Sequence, residues 1–313
     1  MRIVFFGNAD FGVPSLERLH SSSHQIVSVV TNSDKPQGRG RILAPTPIKK
    51  RALELGLPVI EAENLNAEEF YDNLIKLKGE LFIVIAYRIL PERIFSLPPK
   101  GTVNLHGSLL PKYRGAAPIR WVLINGEKKT GVSTFFIEKK VDTGGIILQK
   151  EAEIGETENY GELYQRLSRI GAEAVLDTVE LIENGKAVSL PQDHSLASPA
   201  PKITKELCQI DWNEPASKIV NLTRGLSPQP GALTYWRGKI LKVLEAKVED
   251  SASSAKVPGE VLLADSRQGF IVQTGQGSLQ ILSLQLEGKS RISAAEFLRG
   301  YKMKLGERLG AKG

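Results

Sequence analysis

The sequence predicts an α/β fold. A first domain is built on a central, mostly parallel sheet with helices on its faces, and a smaller domain built on a β-barrel follows. Three observations lead there. Apolar runs of strand length alternate with helical stripes through residues 1–189. A stretch holding Pro191, Pro199 and Pro201, with few large apolar side chains, then breaks the pattern. Beyond it come short runs in which apolar and polar residues mix, as in half-buried antiparallel strands. The 313 residues are enough for two cores. They are assigned as domains 1–189 and 208–313, with 190–207 as linker.

Taken in order, residues 2–7 form a buried strand, and a short helix begins at Pro14 and runs to His20. Residues 26–31 form a second strand. Residues 81–86 are continuously apolar, as a central parallel strand covered on both faces must be. Strands at 102–106, 132–137 and 146–150 follow, the last two separated by a short loop carrying Asp142. Leu163, Leu167, Ile170, Ala174 and Leu181 then mark one stripe of a long helix. The second domain opens with a helix at 216–224 and a turn at Ser227-Pro228-Gln229-Pro230-Gly231. Strands are expected at 232–236, 240–247, 259–263, 270–274 and 278–286. Ser293 and Glu296 form a capping-box signature for a last helix reaching Leu305. Five short strands in so few residues fit a small barrel of the oligonucleotide-binding (OB) class or a small sandwich.

Composition excludes several classes. The chain is 41% hydrophobic and 24% charged, ordinary for a folded domain. No run of about 18 apolar residues exists, so no membrane span is expected. Met1 leads straight into a strand pattern, so no secretory leader is expected. Cys208 is the only cysteine and can form neither an internal disulfide nor a thiolate cluster. The loop Gly7-Asn8-Ala9-Asp10-Phe11-Gly12 lacks the dinucleotide glycine pattern, which disfavours NAD, and no metal-ligand cluster is evident. Charge is uneven. From Cys208 onward, 15 of the 41 Lys and Arg face 10 of the 35 Asp and Glu, a net of +5 against +1 before it. That is a modest bias toward polyanions. The tail residues Arg299, Lys302, Lys304, Arg308 and Lys312 fit a solvated basic helix face.

The chemistry concentrates in Asn104-Leu105-His106, at the end of the 102–106 strand, and in the distant Asp142. With a strand period of two, Asn104 and His106 leave the same face. The carboxyl ends of strands are where open α/β sheets bind ligands. An amide donor beside an imidazole suits attack on a carbonyl carbon: one group holds the oxyanion while the other manages a proton. Taken singly, Asn104 and His106 read as an ordinary capping pair and Asp142 as a turn former.

The stretches 33–41, Val84-Ile85-Ala86-Tyr87-Arg88-Ile89-Leu90-Pro91, 104–119 and Val141-Asp142-Thr143-Gly144 resemble the methionyl-tRNA formyltransferases across essentially the whole chain. The resemblance implies a Rossmann-like formyltransferase domain and an OB-like tRNA-binding domain. It implies a formyl donor, 10-formyltetrahydrofolate, and an acceptor, the α-amine of initiator methionyl-tRNA, in a cytoplasmic, monomeric, metal-free enzyme. Asn104, His106 and Asp142 match the catalytic trio. Ala86, Tyr87, Arg88, Ile89 and Leu90, with Ser108, Leu109, Leu110 and Pro111, match the folate-contacting segments. Lys35, Arg39, Arg41, Lys49, Lys50 and Arg51 match the tRNA side. Two positions depart from the pattern: Gln229, where the family often has an aromatic residue, and Arg88, where Gly or Leu is common. The catalytic pattern alone is shared with formyltetrahydrofolate hydrolases and other amine formyltransferases. A non-enzymatic RNA-binding protein is the third alternative.

Overall fold

The computed structural model describes residues 1–37, 42–249 and 256–310. The chain forms two compact units. The first takes in 1–118, 129–153 and 164–200, and the second takes in 119–128, 154–163 and 201–313.

In the first unit the strands are β1 (Arg2–Gly7), β2 (Gln25–Thr31), β5 (Val59–Glu61), β6 (Leu81–Ile85), β7 (Thr102–His106), β8 (Lys129–Phe136) and β9 (Ile146–Glu153). They form one sheet in the order β5-β2-β1-β6-β7-β8-β9. The first five are parallel, and β8 runs antiparallel to both neighbours. The strand β6 and, from Ile3 onward, β1 are apolar and buried because helices cover both faces. One face, with Val4, Phe6, Phe82 and Val84, packs with Phe70 and Leu74 of α3 (Glu68–Lys76) and Ile94 of α4 (Glu92–Phe95). On the other lie α1 (Val13–His20), α2 (Pro47–Glu54) and the body of α6 (Tyr160–Glu183). Proline in the first turn starts α1 and α2, and the Thr46 side chain accepts from the Lys49 N–H to cap α2.

Two segments differ from the sequence expectation here. The basic stretch after β2, where the sequence suggests no strand, carries a small antiparallel pair, β3 (Lys35–Gln37) with β4 (Ile42–Ala44). Strands of three residues are too short to show a period of two. Residues 190–200, whose composition reads as a linker, are hydrogen-bonded into the first unit. Leu190 pairs with Ile146, the Arg114 N–H donates to the Ser198 carbonyl, and the Ala200 N–H donates to that of Arg114.

The second unit holds α5's residues from Ile119 onward (Pro118–Ile124), α7 (Ala216–Leu226) and an antiparallel sheet. The sheet order is β10 (Ala232–Trp236), β11 (Lys239–Glu249), β14 (Ser278–Leu286), β13 (Gly269–Gln273), β12 (Val261–Asp265), with β15 (Ile292–Ser293) beside β14. Bulges bend β11 where it pairs with β14. The ends of the sheet are joined through the chain's last described residues. The Val261 N–H donates to the Glu307 carbonyl on the β12 side, and the Gly310 N–H donates to the Tyr235 carbonyl on the β10 side. This gives the open edges the partners that barrel closure requires.

The last helix, α8 (Ala294–Gly300), opens with the expected capping box but stops at Gly300, short of Leu305. Tyr301 turns out of the helix and stacks on Phe297 at 4.7 Å, with Trp236 edge-on at 5.9 Å. Lys302, Lys304 and Arg308 therefore lie on the closing segment, and only Arg299 is on a helix. Lys312 is outside the described residues.

Glu307 anchors that segment. It accepts from Trp236 Nε1 at 2.8 Å, Arg237 Nη2 at 2.7 Å and the Lys304 N–H at 3.0 Å. Burial pushes its carboxyl up, but these donors outweigh burial and hold it below the ordinary value. A lowered folded-state value means stability that is present at neutral pH and lost as pH falls through the acidic range. Glu307→Gln should therefore cost about 1–3 kcal/mol at pH 7, the worth of hydrogen bonds to a charged group. Urea denaturation across pH checks this, with the two proteins converging as pH falls through the lowered folded-state value of Glu307.

Candidate active site

The site is positioned by strand register. Asn104 lies beside Val84 of β6 and Phe135 of β8, and His106 lies opposite Ser133 of β8. Asn104 and His106 therefore share the face that carries Phe82 and Val84. Leu105 points the other way, where it packs so closely on α6 that a Cβ at Gly171 would lie 2.6 Å from it.

His106 is 6% exposed. Its Nε2 lies 2.8 Å from the Tyr113 carbonyl, which can only accept, so Nε2 carries a proton. In the neutral ring Nδ1 is then a free lone pair. It faces Asp142 Oδ2 at 3.8 Å. The same carboxylate oxygen accepts from the Gly115 N–H at 2.8 Å. Among the described residues no hydrogen bond engages the Asn104 amide, so its donors are available to a ligand.

Both loops are held in demanding conformations. Asp142 and Tyr113 sit at φ of 55° and 62°, which side chains rarely adopt. A Cβ at Gly115 would lie 2.8 Å from the Ala200 carbonyl oxygen, and one at Gly144 would lie 1.7 Å from that of Phe136. Only glycine fits at Gly144. Gln192 spans the two loops. Its Nε2 donates to the carbonyls of Asp142 and Gly144, and its Oε1 accepts from Arg114.

The segment after His106 is fastened to β8 and β9. The Ser133 hydroxyl donates to the Ser108 carbonyl and accepts from the Leu110 N–H. Gln149 Nε2 donates to the Leu110 carbonyl and to Ser133 Oγ. Ser108 itself donates to the Lys112 carbonyl. Ser108, Leu109, Leu110 and Pro111 thus leave β7 next to the loop after β6 that holds Ala86, Tyr87, Arg88, Ile89 and Leu90. The pairing of Ile85 with Leu105 makes those two strand ends neighbours. Ile89 is 75% exposed and Leu90 is buried. Arg88 braces its loop by donating to the Ala62 and Glu63 carbonyls and to the Tyr87 hydroxyl.

The basic residues divide into three groups. Lys35 and Lys50 are exposed. Lys49 lies 2.6 Å from both Asp34 and Glu61. These partners, Asp34 first, hold its ammonium above the ordinary value. Arg51 pairs with Glu54 at 2.9 Å and Glu17 at 2.7 Å. The charges of Lys49 and Arg51 are thus already balanced within the chain. Arg39 and Arg41 lie outside the described residues.

A family profile described as formyl transferase matches residues 1–179, and one described as formyl transferase, C-terminal domain, matches residues 202–302. A methionyl-tRNA formyltransferase of Desulforamulus reducens is 43% identical over 100% of this chain and 99% of its own. One from Chlorobium limicola is 46% identical over 96% of each. The chain belongs to the methionyl-tRNA formyltransferase family. Its fold is also that of WlaRD, a sugar 3N-formyl transferase solved in the presence of dTDP and 5-N-formyl-THF. The TM-score is 0.66 at 19% identity, covering 93% of this chain and 99% of that one. Among the described residues no helix is long and apolar enough to cross a membrane, and no group of three or more His, Cys, Asp or Glu is placed to hold a metal ion.

Sequence reasoning picked out the Asn104, His106 and Asp142 side chains but missed what holds them. The Tyr113 carbonyl, the Gly115 N–H, Ser133, Gln149 and Gln192 act through side-chain hydrogen bonds, mostly to backbone groups far off in sequence, which no local pattern signals. Gly144→Ala tests how firmly the Asp142 loop is held. The added Cβ meets backbone, so it should destabilise the protein by about 1–3 kcal/mol, the usual cost of overpacking. Chemical denaturation measures this, and an unchanged midpoint would show that the loop gives way freely.

Proposed function

We propose that the protein transfers the formyl group of 10-formyltetrahydrofolate to the α-amine of initiator methionyl-tRNA. The observation that carries this reading is the imidazole of His106. It is pinned at Nε2 and presents Nδ1 toward a carboxylate, at the end of a strand that also carries the unengaged Asn104 amide on the same face. The methionine amine attacks the formyl carbon, and charge collects on the formyl oxygen, where Asn104 donates. As the new C–N bond forms, the amine's proton passes to His106 Nδ1, and Asp142 stabilises the resulting imidazolium. That proton then goes to N10 as the C–N10 bond breaks, leaving tetrahydrofolate and formylmethionyl-tRNA. An α-amine titrates near about 7.7–8.0, so only light base assistance is required.

On this reading the pterin lies against residues 86–90 and 108–111, whose neighbouring loops offer backbone donors and acceptors. Acceptor-arm phosphates meet Lys35 and Lys50, and the resemblance adds Arg39 and Arg41, which lie outside the described residues. Lys49 and Arg51 support that surface through their ion pairs. The basic second unit adds electrostatic affinity, and the enzyme works as a cytoplasmic monomer.

His106→Ala should lower single-turnover formylation by roughly 10²–10⁴-fold, the worth of a positioned base. Labelled 10-formyltetrahydrofolate with charged initiator tRNA is the assay. Release of formate without RNA would favour a hydrolase, and near-normal transfer by the variant would reject the role of His106. Binding should also weaken with salt, log affinity falling with log salt by about 0.7–0.9 per phosphate engaged. Lys35→Ala and Lys50→Ala should each flatten that slope, whereas Lys49→Ala should not. A salt titration of tRNA affinity compares them, and equal slopes in all four proteins would remove this face from the tRNA contact.

A further inference from the structure

One buried side chain connects the two loops that define the site, and it is not one of the three reacting groups. Gln192 is 7% exposed. Its Nε2 donates to the Asp142 carbonyl at 3.0 Å and to the Gly144 carbonyl at 2.8 Å. Its Oε1 accepts from Arg114 Nε at 3.2 Å and Nη2 at 2.5 Å. The orientation of the amide is forced, because carbonyls can only accept and a guanidinium can only donate. Both amide protons and the amide oxygen are used.

The bonds reach both halves of the site. Arg114 directly follows Tyr113, whose carbonyl pins His106 Nε2, and directly precedes Gly115, whose N–H holds the Asp142 carboxylate. Arg114 is itself fixed by backbone bonds with Ser198 and Ala200 and by the contact of Nη2 with His194 Nδ1 at 3.0 Å. On the far side, Gln192 grips the carbonyls flanking Thr143. Asp142 sits at positive φ, a conformation that persists only when its surroundings over-determine it. These two bonds supply that constraint. At 3.8 Å the His106–Asp142 separation is beyond hydrogen-bond length, so no direct bond between the pair keeps it.

We infer that Gln192 is a positioning residue for formyl transfer. Acting through the 142–144 backbone, it sets where the Asp142 carboxylate stands relative to His106 Nδ1. Arg114 is its anchor. The inference rests on the reading of His106 and Asp142 as the proton-handling pair.

A double-mutant cycle on the full-length protein tests it, read as the single-turnover rate of formyl transfer to methionyl-tRNA, with binding of a non-reactive folate analogue measured in parallel. Gln192→Glu keeps the size of the side chain and the partner of Arg114 but removes both donors. Gln192→Met removes all of its bonds. Displacing a catalytic group by about 1 Å costs on the order of 10²-fold, so each variant should lose roughly 10–100-fold in rate. Folate affinity should change less than about threefold, because the 86–90 and 108–111 loops keep their own bonds. In an Asp142→Asn background, Gln192→Met should add less than about threefold, since residues acting through one another are non-additive. A residue that only supported the fold would cost the same factor in both backgrounds, and that result overturns the inference. So does a wild-type rate for the Gln192 variants, or a loss of folate affinity matching the loss of rate. If thermal melting shows that Gln192→Met fails to fold, the cycle is run with Arg114→Lys, which should give a smaller loss with the same non-additivity. Full activity of Asp142→Asn would instead sink the functional reading itself, and the inference with it. That outcome is distinct from normal activity of the Gln192 variants beside a slow Asp142→Asn.

Discussion

A buried imidazole must find a partner, and in this protein the partner is the Tyr113 carbonyl. That one bond determines which ring nitrogen of neutral His106 carries the proton and leaves the lone pair on Nδ1. It also determines the path of the chain after β7, which has to curl back through a positive φ at Tyr113 for its carbonyl to reach the ring. Once it has done so, Arg114 meets the 198–200 strap and the Gly115 N–H meets Asp142. His106 and Asp142 are therefore tied to one short segment, residues 113–115, rather than placed independently.

The surrounding fold serves this arrangement through rigidity. β8 runs antiparallel at the edge of an otherwise parallel run of strands, and that reversal brings Ser133 opposite His106. The Ser133 hydroxyl is then fully used, donating once and accepting twice among Ser108, Leu110 and Gln149. A loop whose backbone groups are satisfied in this way has little freedom to drift, which suits a site that must hold donors in place for charge that develops only during reaction. The second unit meets a similar demand with other means. Its antiparallel sheet gains edge partners from the chain's own last segment, pinned by Glu307.

Much of the scaffold was legible. The continuous apolar runs of β1 and β6 can be satisfied only between two covered faces, and they are central strands. The capping box at Ser293 and Glu296 marked the start of α8 because its bonds span three residues. Its end was not legible. Gly300 and the stacking of Tyr301 stop the helix, and the second of these depends on Phe297 and Trp236 meeting in space. The β3–β4 pair was missed because three-residue strands carry no period. The ion pairs of Lys49 and Arg51, residues the resemblance matches to the tRNA side, leave no such pattern, because Asp34, Glu61 and Glu17 are brought to them only by folding.

By itself the sequence determined the plan of an α/β part followed by a β-rich part and the shared face of Asn104 and His106. These follow from backbone periodicity, which acts over a few residues. Tertiary structure alone decided that Asp142, 36 positions beyond His106, would stand 3.8 Å from Nδ1. It alone turned residues 190–200 from an apparent connector into the strap that places Gln192 across both loops. Those outcomes depend on which distant backbone groups satisfy one another. That is a condition on the whole folded unit and leaves no local pattern to read.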